Sequence, residues 1–120
     1  MKVIMTGGGT GGHIYPAIAI ADEIRRRDKD AQILFVGAEI GMETTIVPEN
    51  GYDIELITTD GFNRKNLLKN IDVLMKLRKG SSQSKKILKK FKPDVVVGTG
   101  GYASAPVVRM AQRLGIPTFI

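Results

Sequence analysis

Short apolar runs alternate with stretches of helical period along the whole chain. Residues 3–6, 33–36 and 94–97 (VIMT, ILFV, DVVV) have the length and β-branched content of strands buried on both faces. Residues 53–58 alternate like a further strand, and the closing IPTFI reads as a fifth, cut short at the terminus. Between them, residues 16–27 carry alanines and isoleucines on one helical face, with Pro16 suited to a first turn. A short helix is predicted over 42–48. Two more are predicted over 67–78 and 85–91, separated by a break at GSSQS, and a last one over 106–114. Strands that alternate with helices in this way predict an α/β fold, a parallel sheet with helices on both faces.

Composition limits the picture to one domain, since 120 residues, 42% hydrophobic and 25% charged, suffice for a single core and are too few for two ordinary ones. The chain contains no cysteine, which excludes disulfides, thiolate chemistry and cysteine-type zinc sites, and fits a cytoplasmic setting. The start, MKVIMTGGG, lacks the apolar length of a signal peptide, and no window approaches the roughly 20 apolar residues of a spanning helix. The expectation is a chain neither secreted nor transmembrane.

Charge is regional. The net charge is +6, yet the window 62–92 holds eleven Lys and Arg against one acid, Asp72, so that window carries +10 and the remainder −4. An anionic partner is implied: nucleic acid, a phosphorylated ligand or an anionic membrane surface. Nucleic acid is disfavoured, because Phe62 and Phe91 are the only aromatic side chains there to stack on bases.

Candidate chemistry concentrates in MTGGGTGGHIYPA at 5–17, where Gly7, Gly8, Gly9, Gly11 and Gly12 precede the only histidine, His13. A tight strand-to-helix turn needs one or two glycines, so five exceed the structural requirement, each at a cost in backbone entropy. A second glycine loop, Gly98, Gly100 and Gly101, follows the 94–97 strand at the equivalent place. In open α/β sheets this edge binds ligands, because glycine admits close backbone approach and a helix N-terminus presents N–H groups to an anion.

Two common readings fail in detail. Gly7, Gly9 and Gly12 satisfy G-x-G-x-x-G, but the second strand leads into Val36-Gly37 and the nearest acid, Glu39, comes late for binding an adenosine ribose. Gly7 and Gly12 fit the first half of a P-loop, but His13 and Ile14 stand where its lysine and hydroxyl belong. What remains is a phosphate-facing loop with an imidazole that suits proton abstraction or charge stabilisation in group transfer.

The stretches GGTGGHIYPAIAIADEI from Gly8, GAEIGMETTIVPENGYDIELI from Gly37, KPDVVVGTGGYASAP from Lys92 and LGIP from Leu114 together resemble the N-terminal half of the MurG family of N-acetylglucosaminyltransferases, over essentially all 120 residues. That resemblance implies the acceptor domain of a GT-B glycosyltransferase, whose two Rossmann-like domains move N-acetylglucosamine from UDP-N-acetylglucosamine to the undecaprenyl-diphosphate-linked N-acetylmuramoyl pentapeptide. This converts lipid I to lipid II in peptidoglycan synthesis with inversion, and needs no cofactor or metal. By position, Thr10, Gly11 and Gly12 would touch the UDP-sugar, and Gly100, Gly101, Tyr102 and Ser104 would hold the acceptor diphosphate. His13 would be the base, or alternatively a phosphate contact.

The basic window acquires a reading on the same footing. Leu67, Leu68, Ile71, Leu74 and Met75 fall at helical spacing between Arg64, Lys65, Lys69, Lys76, Arg78 and Lys79. Such a segment suits either the cytoplasmic leaflet of the cell membrane, as a peripheral attachment through Arg64, Lys65, Leu68, Lys69 and Lys76, or an ordinary helix with a solvated outer face. The resemblance further implies a C-terminal donor domain beyond Ile120, so this chain is expected to be part of a longer enzyme or one subunit of a split transferase, inactive alone. A non-catalytic membrane-associated or diphosphate-binding module, with the same loops, is the other reading.

Overall fold

The structure, a computed structural model, describes residues 1–8, 11–39, 41–58, 67–101 and 103–120, with the backbone alone over 67–77. Five strands, β1 (Lys2–Gly7), β2 (Gln32–Ala38), β3 (Asp53–Ile57), β4 (Val95–Gly100) and β5 (Thr118–Phe119), form one parallel sheet in the order β3-β2-β1-β4-β5. Helices α1 (Gly11–Arg27), α2 (Glu43–Glu49), α3 (Leu67–Phe91) and α4 (Ser104–Arg113) make the crossovers. The chain starts in the middle of the sheet, walks outward to β3, then returns past β1 to build β4 and β5. Because parallel crossovers are right-handed, that reversal puts α1 and α2 on one face and α3 and α4 on the other. The expected α/β architecture, with helices on both faces, is therefore the one observed.

Each face has its own core. Val3, Met5 and Phe35 point toward α1 and α2, where Ile14, Ala17, Ile18 and Ala21 meet them at helical spacing. Ile4, Val36, Ile57 and Val96 point the other way, toward Leu88 of α3 and Val107, Val108 and Ala111 of α4. The central strands read as unbroken apolar runs because successive residues fill opposite cores. Gly98 in β4 lets α4 approach: a Cβ there would stand 2.7 Å from Ser104 Oγ and 2.8 Å from Val108 Cγ2.

A polar latch ties α1 to the α2–β3 turn. The Tyr52 hydroxyl donates to Asp22 Oδ1 at 2.6 Å, and the Arg25 guanidinium lies 4.1 Å over the Tyr52 ring while its Nη2 donates to the Gly51 carbonyl at 3.2 Å. Burial, and then the Asp22 carboxylate, push the Tyr52 phenol up to about 12. The unfolded phenol ionises near 10, so this stabilisation is whole below pH 10 and is lost as pH rises from about 10 through 12, where only the unfolded chain releases the proton. Tyr52→Phe is expected to cost about 1–2 kcal/mol at pH 7. In urea titrations at pH 8 to 11, its deficit against wild type should shrink at the alkaline end; a constant deficit would refute the latch.

Helix boundaries depart from expectation in two instructive places. GSSQS was expected to break a helix, yet Leu67–Phe91 is one continuous α3. Those small polar residues are its docking face on the end of β3. Gln83 accepts from the Thr58 N–H at 2.6 Å and donates to Thr58 Oγ1 at 3.3 Å, Ser84 Oγ donates to the Gly80 carbonyl at 2.7 Å, and a Cβ on Gly80 would stand 2.6 Å from the Thr58 carbonyl oxygen. Gly80→Ala, a change that stabilises an exposed helix by about 1 kcal/mol, is accordingly expected to destabilise this one by about 1–3 kcal/mol. Ser82→Ala, on the exposed side, is the control for propensity in thermal melts.

The second departure is at α1, expected from Pro16 onward but starting at Gly11, so that Gly12 and His13 belong to its first turn and Pro16 to its second. Proline there withholds the N–H that would bond the Gly12 carbonyl, a loss tolerable so close to a helix start. Among the described residues no helix is long and apolar enough to cross a membrane.

Candidate functional site

The sheet order reverses between β1 and β4, and both glycine loops lie at the carboxyl ends of those two strands. Their backbones touch. Gly7 pairs with Gly100 after a register irregularity at Thr6/Gly7, and the Gly8 N–H donates to the Gly100 carbonyl at 3.3 Å. Gly100 and Gly101 take φ of +109° and +94°, which side chains resist. A Cβ on Gly101 would overlap the Gly8 carbonyl oxygen, so the two loops close only because that position is glycine.

His13 stands in this contact. Its backbone carbonyl accepts from Thr99 Oγ1 at 2.7 Å, and its Nδ1 meets the Gly8 carbonyl at 3.3 Å. A carbonyl only accepts, so Nδ1 carries the proton in that contact and Nε2 is the basic nitrogen of the neutral ring. The ring lies against Gly100, where an added Cβ would come within 2.8 Å of Cδ2 and 3.0 Å of Nε2. Gly11 and Gly12 are the first two residues of α1, and a Cβ on Gly11 would sit 3.3 Å from the exposed ring of Tyr15. Ser104, the first residue of α4, is 6% exposed, with Oγ turned onto Gly98. Its N–H belongs to the first turn of α4, whose Ala103 cap makes no side-chain hydrogen bond.

The structure therefore brings together His13, Gly11, Gly12, Gly100, Gly101 and the start of α4 from two segments far apart in sequence. Thr10 and Tyr102 lie outside the described residues, as do Arg64 and Lys65; Leu68, Lys69 and Lys76 fall on α3, with side chains outside the described set. Further along α3, Arg78, Lys79, Lys85, Lys86, Lys89 and Lys90 are exposed.

β2 runs to Ala38, two residues beyond the expected end, so Glu39 directly follows the strand; its carboxylate accepts from Thr58 Oγ1 at 3.1 Å, at the end of β3. Glu43, not singled out from sequence, is 1% exposed, and its Oε1 accepts from the Ala38 N–H at 3.0 Å. The sequence signal for it was an acid at the first position of a buried stripe, Glu43, Ile46 and Val47, at helical spacing.

A parallel sheet whose order reverses between two glycine loops, with helix starts and an imidazole gathered at that reversal, defines a Rossmann-like domain, a class in which such a switch point is the usual place for a ligand. The model of the glycosyltransferase family 28 N-terminal domain matches residues 3–120, and the chain belongs to that family. It is 54% identical over all 120 residues to a Clostridioides difficile protein and 56% identical to one from Christiangramia forsetii, covering 29% and 33% of them. Both are named UDP-N-acetylglucosamine–N-acetylmuramyl-(pentapeptide) pyrophosphoryl-undecaprenol N-acetylglucosamine transferase. Among solved structures, Acinetobacter baumannii MurG superposes with a TM-score of 0.82 at 28% identity, over 98% of this chain and 33% of that one. The chain thus spans about a third of the length of the relatives it matches.

Proposed function

We propose that this chain is the acceptor-binding, membrane-side domain of an inverting N-acetylglucosaminyltransferase that converts lipid I to lipid II. The observation that carries the reading is an identity of 54% and 56% over all 120 residues to two proteins named for that transfer. In this reading His13 Nε2 takes the proton from the C4 hydroxyl of the N-acetylmuramoyl pentapeptide on undecaprenyl diphosphate. The freed oxygen pair attacks C1 of N-acetylglucosamine opposite the leaving group, the bond from C1 to the phosphate oxygen breaks, and UDP departs with that electron pair. Attack from the far face inverts the anomeric centre.

Thr10, Gly11 and Gly12 border the UDP-sugar. Gly100, Gly101, Tyr102 and Ser104 hold the acceptor diphosphate, with backbone N–H groups doing most of the binding. The donor is bound chiefly by a second domain, C-terminal to this one, across the cleft. The exposed bases of α3, with Arg64, Lys65, Leu68, Lys69 and Lys76, face the anionic cytoplasmic leaflet where the acceptor resides, each nearby cation contributing about 1 kcal/mol.

The test is transfer by this chain joined to the C-terminal part of the Clostridioides difficile relative, with UDP-N-acetylglucosamine and a lipid-linked muramoyl acceptor. Disaccharide formation is expected from the joined protein and not from either part. Acceptor binding without transfer would leave a binding module.

A further inference from the structure

Three glycines from three places in the sequence surround one carboxylate. A Cβ on Gly8 would come within 2.5 Å of Glu43 Oε1, a Cβ on Gly41 within 2.5 Å of Oε2, and a Cβ on Gly37 within 2.6 Å of Glu43 Cγ. Gly37 lies in β2, Gly8 begins the loop after β1, and Gly41 precedes α2. A methionine or leucine would fill such a space without the desolvation that a carboxylate incurs when almost fully buried. What the carboxylate adds is a fixed acceptor for a backbone N–H, that of Ala38.

Gly8 is the shared element. On one side its Cα packs on the Glu43 carboxylate; on the other its N–H donates to the Gly100 carbonyl and its own carbonyl accepts from His13 Nδ1. We propose that Glu43 is a positioning residue, whose carboxylate, anchored on the end of β2, sets where Gly8 leaves β1 and, through Gly8, where the His13 ring stands. Its consequence for transfer rests on the function proposed above; its consequence for the loop does not.

The only histidine makes the test direct, since the His13 ring protons give unshared NMR signals in this chain. Glu43→Asp withdraws the carboxylate by one methylene, and Glu43→Gln keeps its length and an acceptor oxygen. In Glu43→Asp the His13 ring signals and the Gly8, Gly11 and Gly12 amide signals should shift, and exchange of the Ala38 amide should quicken at least tenfold. Glu43→Gln should stay near wild type in all three.

In the protein joined to the C-terminal part of the relative, Glu43→Asp should lower kcat at least tenfold with KM for UDP-N-acetylglucosamine within twofold, and Glu43→Gln should recover most of it. Signals and kcat both unchanged in a folded Glu43→Asp would overturn the proposal, as would a lowered melting temperature alone, the mark of a filler. If the joined wild type makes no product while the Glu43→Asp signals still shift, the positioning inference stands and the transfer reading falls.

Discussion

His13→Ala is expected to reduce N-acetylglucosamine transfer by about 10²- to 10⁴-fold in the joined protein, the usual contribution of a positioned general base, while acceptor binding changes only a few-fold. The chain should tolerate the change. Alanine is a better helix former than histidine, the Thr99 hydroxyl would still find the backbone carbonyl of residue 13, and the ring is only partly buried. His13→Ala removes the contact from Nδ1 to the Gly8 carbonyl, worth about 1 kcal/mol. Steady-state kinetics beside an acceptor-binding measurement separate the outcomes. A fall in kcat with binding preserved assigns His13 to the chemistry. A rise in the acceptor dissociation constant with kcat intact would make it a phosphate contact, and activity within tenfold of wild type would remove it from the base role.

Gly101→Ala should be the most damaging single methyl group in the site. At φ +94° an alanine costs on the order of 1–2 kcal/mol in backbone strain, and its Cβ would overlap the Gly8 carbonyl oxygen and stand 3.1 Å from the Gly8 nitrogen. Both neighbours are main chain, so neither can swing aside, and the two loops must part. We expect a loss of about 2–4 kcal/mol in stability, with acceptor binding and transfer both reduced at least a hundredfold. Gly115→Ala is the matched control: φ there is +75° and nothing lies within 4 Å of the added Cβ, so it carries backbone strain without a collision. Equal melting temperatures for the two variants would mean that the loop contact contributes nothing beyond strain.

The sequence by itself determined the fold class, and it singled out the candidate site. Apolar runs of strand length and amphipathic stretches of helical period are local patterns, and a parallel sheet must bury both faces of its central strands, so VIMT, ILFV and DVVV could hardly be placed elsewhere. Glycine clusters after the first and fourth strands are equally local, and five glycines before His13 marked the candidate site because no turn needs so many. Tertiary structure decided the rest.

Gly11 and Gly12 read as loop by propensity, yet they open α1, where Thr99 holds the first turn by the His13 carbonyl from 86 residues away. GSSQS read as a break, yet it is helix, since the approach of Thr58 selects small and polar residues on that face. The closure of Gly101 on Gly8, and of three glycines around Glu43, depends on which strands become neighbours. A one-dimensional pattern records the absence of a side chain at such positions; only the packed sheet supplies the atom that fills the space.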